Sequence, residues 1–295
     1  MQPNRTFIFA PGNHARKVEK VFGTGADAVI LDLEDAVAVA EKEATRARIV
    51  AALQGPRRCR GYVRVNDITT EFCFGDLEAV VGPGLDGVVL PKVESAADVT
   101  MIDWVVGNLE RKAGMTVGAI DLIPIIETGR GLAAAREICG AGGRLKRVSF
   151  GAGDYTRDMG MDWTLEETEL ASAQAEIVLA SRISELEPPL DTVFIHIREH
   201  DHFKRSAERG RRLGFQGKLC IHPDQVPIAN AAFAPTEEET AWARRIVESF
   251  AEAEAAGSAS IQVDGYFVDY PIVVKARRIV DLAEAVAAQE AERAG

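Results

Sequence analysis

The sequence lacks most of what a crosslinked, membrane-spanning or nucleic-acid-binding protein needs. Its 295 residues hold only four cysteines, Cys59, Cys73, Cys139 and Cys220. They stand far apart and form no Cys-x-x-Cys pair, so they read as free thiols of a reducing compartment rather than a disulfide framework. No apolar run approaches the roughly 20 residues that cross a bilayer. Residues 1–5 lead straight into a strand-like run without the charged start, apolar stretch and cleavage site of a signal peptide. A cytoplasmic location is expected. Positive charge is also short: 34 Lys and Arg against 45 Asp and Glu leave a formal charge of −11. Such a balance argues against general binding along a phosphate backbone. Several catalytic signatures are missing as well. Pro11-Gly12-Asn13 follows the first strand-like run as a turn, not as a dinucleotide fingerprint. There is no P-loop, no HExxH and no G-x-S-x-G nucleophile elbow. His200-Asp201-His202 has no third ligand specified and reads as a solvated loop.

What the chain does have is an ordinary globular share of apolar residues, 47%, arranged in a repeating order. Short β-branched runs occur at residues 6–10, 28–33, 62–65, 87–90, 121–126, 147–150, 192–197 and 218–221. Helix-patterned stretches lie between them, at 15–22, 41–53, 96–109, 131–139, 166–185 and 203–213. Strand–helix alternation with strands apolar on both faces predicts parallel βαβ units covered by helices. Eight such runs predict an α/β fold, a TIM (β/α)8 barrel, with an open doubly wound sheet as the alternative. The barrel is expected over residues 1–232. Residues 233–295 exceed what eight units need. There Thr236 and Glu239 make a capping box before an Ala/Glu-rich helix, residues 260–263 are strand-like, Asp264-Gly265 is a turn, and a last helix covers 271–288. This C-terminal helical extension is either a lid over the barrel or a neighbouring subunit, or a plain helical cap.

Barrels of this kind carry their chemistry in the loops after the strands, and those places are polar here. They hold Glu34-Asp35, Arg64 with Asn66, Lys92 with Glu94, Glu127-Thr128, Asp154, His196 and His222. Glu127 and Asp154 each follow an apolar strand, and two carboxylates at neighbouring strand ends repel unless something neutralises them. A Mg²⁺ ion does so with few oxygen ligands and several retained waters; a helix cap or an Arg partner does so without metal. Glu34 and Asp35 are candidates to hold metal-bound water, or helix caps. Arg64 lies inside Val63-Arg64-Val65, where a charge must be paired. Its fork suits a substrate carboxylate or an ion pair with Glu34 or Asp35. Arg16 and Lys20, four apart, share a helix face and suit the phosphates of an extended substrate, or simply water.

Taken in order, these segments resemble the citrate lyase β-subunit-like family of the HpcH/HpaI aldolase group, over about residues 5–285. The resemblance rests on Phe9-Ala10-Pro11-Gly12-Asn13, Leu31-Asp32-Leu33-Glu34-Asp35-Ala36, Val63-Arg64-Val65-Asn66 and Leu90-Pro91-Lys92-Val93-Glu94-Ser95. It continues through Ile123-Pro124-Ile125-Ile126-Glu127-Thr128, Phe150-Gly151-Ala152-Gly153-Asp154, Cys220-Ile221-His222-Pro223 and Val268-Asp269-Tyr270-Pro271. It implies a Mg²⁺-dependent carbon–carbon lyase that cleaves a 3-hydroxyacyl thioester of coenzyme A or of an acyl carrier protein into an acyl thioester and an α-keto acid. Citryl, malyl and citramalyl groups are the substrates of such families. By the same resemblance Glu127 and Asp154 hold the metal and Arg64 binds substrate. Arg16 and Lys20 meet the thioester carrier, Ile221 and His222 line the substrate site, and Asp269 is the acid/base, often lent to a neighbouring subunit of a homotrimer or hexamer. Three positions depart from the pattern: Gly153 and His196 where acids are common, and Gln174 where an Arg is common. They leave open a shifted substrate, an aldolase of a free hydroxy keto acid, and a non-catalytic subunit of a lyase complex.

Overall fold

The computed structural model describes residues 2–294. Eight strands form a closed barrel: β1 (Thr6–Pro11), β2 (Ala28–Asp32), β3 (Arg60–Arg64), β4 (Gly87–Leu90), β5 (Asp121–Ile126), β6 (Ser149–Phe150), β7 (Leu190–Asp191) and β8 (Gly217–Cys220). Each is parallel to the next, and β8 closes on β1 through Thr6 opposite Lys218. Between and after them run α1 (Ala15–Val21), α2 (Lys42–Leu53), α3 (Cys73–Val80), α4 (Ala96–Lys112), α5 (Gly129–Ala133), α6 (Ala135–Cys139), α7 (Ala152–Met159), α8 (Ala171–Ile183), α9 (His200–Leu213) and α10 (Gln225–Phe233). The α/β barrel expected from the strand–helix alternation is thus the observed architecture.

Side chains alternate across a strand with a period of two, and this alternation builds the barrel core. Phe7, Ala28, Ile30, Tyr62, Val89, Ile123, Ile125, Leu190 and Leu219 meet in the interior, with Phe9 and Val193 packed against them. Burying each large aliphatic side chain contributes about 1.5–3 kcal/mol relative to exposure. The same parity carried past the apolar part puts Asp32 two residues beyond Ile30, Arg64 two beyond Tyr62 and Glu127 two beyond Ile125. Charged residues are therefore delivered to the barrel mouth by strands whose middles are apolar.

The seventh strand differs from expectation. The apolar run 192–197 is irregular, and pairing stops at Asp191. Its polar groups bond elsewhere: the Thr192 hydroxyl accepts the Ala152 N–H at 2.8 Å, and the Phe194 carbonyl accepts from the Gln225 side chain at 2.8 Å. His196 consequently lies in a loop beyond β7 rather than on it. Stretch 131–139 is likewise split into α5 and α6, and α3, α7 and α10 occupy segments where no helix is expected from the pattern.

Two compact units emerge, residues 4–230 and residues 231–294 with Gln2 and Pro3. The second contains α11 (Glu237–Ala255), the antiparallel pair β9 (Ile261–Val263) and β10 (Tyr266–Val268), and α12 (Tyr270–Ala294). It has its own small core of Ala243, Ile246, Phe250, Val268, Val273 and Ala276. The Thr236–Glu239 capping box forms as expected, with Glu239 N–H on the Thr236 hydroxyl at 3.1 Å and Thr236 N–H on the Glu239 carboxylate at 2.8 Å. Among the described residues no helix is long and apolar enough to cross a membrane.

Candidate active site

Asp32 and Arg64 are register partners in the parallel β2–β3 pair, so their side chains meet at the mouth. The guanidinium grips Asp32 with both arms, Nε and one terminal nitrogen each donating at 2.7 Å. Its other terminal nitrogen lies 2.8 Å from Glu34 Oε2. The Arg64 guanidinium also stacks 4.9 Å from the Phe9 ring centroid. Of the two acids expected to pair with Arg64, Glu34 does so and Asp35, exposed, does not; Asp32, which no sequence argument singled out, takes the fork. Burial raises the Asp32 pKa, but Arg64 and the N–H groups of Glu34 and Ala36 outweigh it and hold the carboxyl below its ordinary range. For Glu34 burial prevails over Arg64 and Lys92, and its pKa is raised.

Lys92, just past β4, has φ of 51°, the left-handed region that residues with a Cβ rarely adopt. That turn points its two nitrogens at different acids. The backbone N–H donates to Glu127 Oε1 at 2.8 Å. The ammonium bonds Glu34 and lies 3.6 Å from Asp35 and 3.8 Å from Asp154 Oδ2. Glu127 is buried, and burial pushes its pKa up to about 8; Arg64 opposes this, the Asp154 and Glu34 carboxylates reinforce it, and the Lys92 N–H opposes it again. Gly151 is needed here, because a Cβ at this position would stand 2.3 Å from Glu127 Oε2. Asp154 sits in the first turn of α7 and pairs with exposed Arg157 at 2.7 Å.

The donors suit a hard divalent ion. Glu127 and Asp154 are two carboxylates turned towards one lysine, with further acid charge at Glu34, and oxygen-only sets of this size fit Mg²⁺, which keeps most of its waters. Among the described residues no group of three or more His, Cys, Asp or Glu has metal-holding geometry, so a full protein cage is not what these residues build.

Two hollows open at this end. The larger, about 600 Å³, is lined by β1, the β1–α1 turn and the β8 exit, including Arg16, Lys17, Lys20, Ile221 and His222. The smaller, about 290 Å³, includes Phe9, Lys17, Asp32, Arg64, Val193 and Ile221. Phe9, Pro11, Lys17 and Ile221 line both, so a basic-edged groove leads to the mouth where Arg64 stands. Lys17 escaped sequence reasoning, and Lys92, one of the polar residues at strand ends, was given no role by it. For Lys92 the available hint was its place directly after an apolar strand.

The family model for HpcH/HpaI aldolase/citrate lyase matches residues 5–223. The chain belongs to that family. It is 36% identical over 282 residues to the citrate lyase subunit beta of Escherichia coli (strain K12), covering 95% of this chain and 93% of that protein. It is 35% identical over 309 residues to the L-malyl-CoA/beta-methylmalyl-CoA lyase of Cereibacter sphaeroides, covering 97% and 96%. Among solved structures it resembles protein CitE from Mycobacterium tuberculosis in complex with magnesium, acetoacetate and coenzyme A. That match has a TM-score of 0.75 and 29% identity, and covers 96% of this chain and 98% of the other. Membership makes the chain a carbon–carbon lyase of the citrate lyase β and malyl-CoA lyase kind.

The remaining positions fall as follows. Asp269 is in the C-terminal unit, half-buried immediately before α12; its carboxylate has no hydrogen bond or ion pair among the described residues. Gln174 is fully buried and donates to Asp191 Oδ1 at 2.8 Å, and Asp191 also pairs with buried Lys218 at 2.6 Å. Gly153 faces Trp163, which a Cβ would meet at an ordinary 3.5 Å.

Proposed function

We propose that this protein is a Mg²⁺-dependent lyase that cleaves a 3-hydroxyacyl-CoA of the citryl, malyl or citramalyl type into an acyl-CoA and an α-keto acid. One observation carries the reading: a groove edged by Arg16, Lys17 and Lys20 runs past Phe9 and Ile221 into a mouth where Arg64, Glu127 and Asp154 stand. The groove suits an anionic carrier, and Ile221 and His222 line its inner wall.

Glu127 and Asp154 would hold the ion, which when bound polarises the oxygens of the hydroxy or keto acid. Each terminal nitrogen of Arg64 keeps an N–H beyond its hydrogen bonds to Asp32 and its ion pair with Glu34, and these would orient a substrate carboxylate bidentately. Glu34, with Asp35 at its flank, would order water around the ion. The β-hydroxyl would pass its proton to the Asp269 carboxylate. The bond between the carbinol carbon and the α-carbon of the thioester breaks, and its electron pair becomes the thioester enolate. The protonated Asp269 then holds the proton that the enolate carbon takes back. We assign both transfers to Asp269, from its own chain or from a neighbour in a homotrimer or hexamer.

Incubation with citryl-, malyl- and citramalyl-CoA and Mg²⁺ should release a keto acid from at least one, and Glu127→Gln and Asp269→Asn should each remove turnover while leaving the circular dichroism spectrum unchanged. Cleavage of a free hydroxy keto acid with no binding of coenzyme A would replace this reading with an aldolase. No cleavage of any thioester, on coenzyme A or on acyl carrier protein, would overturn it.

A further inference from the structure

The inner mouth is a chain of alternating charge. Asp32 holds Arg64, Arg64 holds Glu34, Glu34 holds Lys92, and Lys92 reaches Asp154. Four carboxylates, those of buried Asp32, Glu34 and Glu127 and of partly exposed Asp154, meet two cations there, Arg64 and Lys92, while Asp35 and Arg157 at the exposed edge offset each other. Lys42, behind them, is turned onto the carbonyls of Leu33 and Glu34 and the side chain of Asn66 instead. With the carboxylates ionised, as metal binding requires, the set carries an excess of two negative charges, the charge of one divalent cation. Lys92 fixes that figure. It does so from a left-handed backbone that a lysine adopts only under constraint, and unusual backbone of this kind gathers at functional sites.

We infer that Lys92 is a charge-setting and positioning residue of the site: its backbone N–H aims Glu127, while its ammonium, placed between Glu34 and Asp154, limits how tightly the carboxylates hold a divalent cation. The inference rests on reading Glu127 and Asp154 as the ligands. Its physical content is a sign. A lysine that merely held the acids in place would weaken metal binding when lost. A lysine that sets the charge leaves, when removed, an excess of three, and the cation binds more tightly. Reversible binding suits an ion that must accept and release substrate oxygens without trapping the product.

The test is calorimetric titration of the substrate-free protein with Mg²⁺ at fixed ionic strength. Lys92→Met should lower the Kd about tenfold, the size expected of one unit charge acting on a divalent ion at close range in a water-like dielectric. Lys92→Arg should keep the wild-type value. Lys92→Gly, which removes the charge and tolerates the left-handed backbone, should tighten binding like the methionine variant, and stands in for it should that one not fold. Unchanged or weaker binding by the neutral variants overturns the inference while leaving the site reading intact, as does an equal shift in Lys92→Arg. Failure of the wild type to bind Mg²⁺ overturns both.

Discussion

Arg64 is where the chemistry of single residues is most exposed to test. Its guanidinium neutralises two buried acids at once, and breaking a buried pair by deleting one partner costs about 3–5 kcal/mol because the other charge is left uncompensated. Arg64→Met should therefore lower stability in urea by at least about 3 kcal/mol and reduce turnover by about 100-fold or more, the scale of losing a preorganised charge contact. Adding Asp32→Asn to that variant removes one stranded charge, so it should recover part of the stability and none of the activity. Recovery of turnover would take Arg64 out of the reaction. The same pair shows the limits of reading residues from sequence. Arg64 stood out because a charge inside Val63-Arg64-Val65 needs a partner. Asp32 did not, because Leu31-Asp32-Leu33 gives no sign of which strand lies alongside; only the β2–β3 register places them face to face. Lys92 could be placed at a strand end but given no role for a related reason: its part in the site depends on a backbone angle, which composition does not encode.

Elements were legible where local chemistry decides them. The Thr236–Glu239 box could be read because both of its hydrogen bonds lie within four residues. Thr236→Ala should destabilise the C-terminal unit by about 1 kcal/mol, seen as a lower thermal midpoint or faster amide exchange in the first turn of α11. No change in either would mean that tertiary packing, not the cap, fixes that helix start. Elements decided by distant partners were not legible. Residues 192–197 have strand composition, yet Thr192 serves the N-terminus of α7 and the Phe194 carbonyl serves Gln225, so the ladder ends early and His196 is carried off the strand. The short helices α3 and α7 are similar cases, since each follows a strand end whose polar residues look like loop.

At the scale of the whole molecule the buried thiols give a stability profile with a definite sign. Burial pushes the thiols of Cys73, Cys139 and Cys220 up to about 12, helped at Cys73 by Asp76 and Asp67 and opposed at Cys220 by Lys218. An unfolded thiol titrates near 8.5. Between those values the unfolded chain has lost protons that the native state retains, so unfolding becomes easier as pH rises. The three thiols should lower the urea midpoint from about pH 9 upward, and Glu127, raised to about 8 in the fold against about 4.3 in the unfolded chain, should lower it already between those two values. At pH 8 half-buried Cys59 should react first with a thiol reagent, and the other three only as fast as the fold opens. Rapid reaction of all four in the native protein would contradict the burial.

The C-terminal unit raises the other question of this scale, whether Asp269 serves its own barrel or another copy's. Two inactive variants settle it. Glu127→Gln spoils the barrel and Asp269→Asn spoils the tail. If each site is built within one chain, every chain in a mixture carries one defect and no site works, however the subunits are shuffled. If the tail is lent to a neighbour around a closed ring, a site needs an intact barrel and an intact neighbouring tail. Random mixing then restores about a quarter of the sites. The experiment is to unfold and refold the two variants together at equal concentration and compare turnover with wild type treated in the same way. Activity near a quarter places Asp269 in the neighbour's site and makes the oligomer a condition of catalysis. Activity at the level of the single variants confines Asp269 to its own chain or, where Asp269→Asn alone retains turnover, removes it from the reaction.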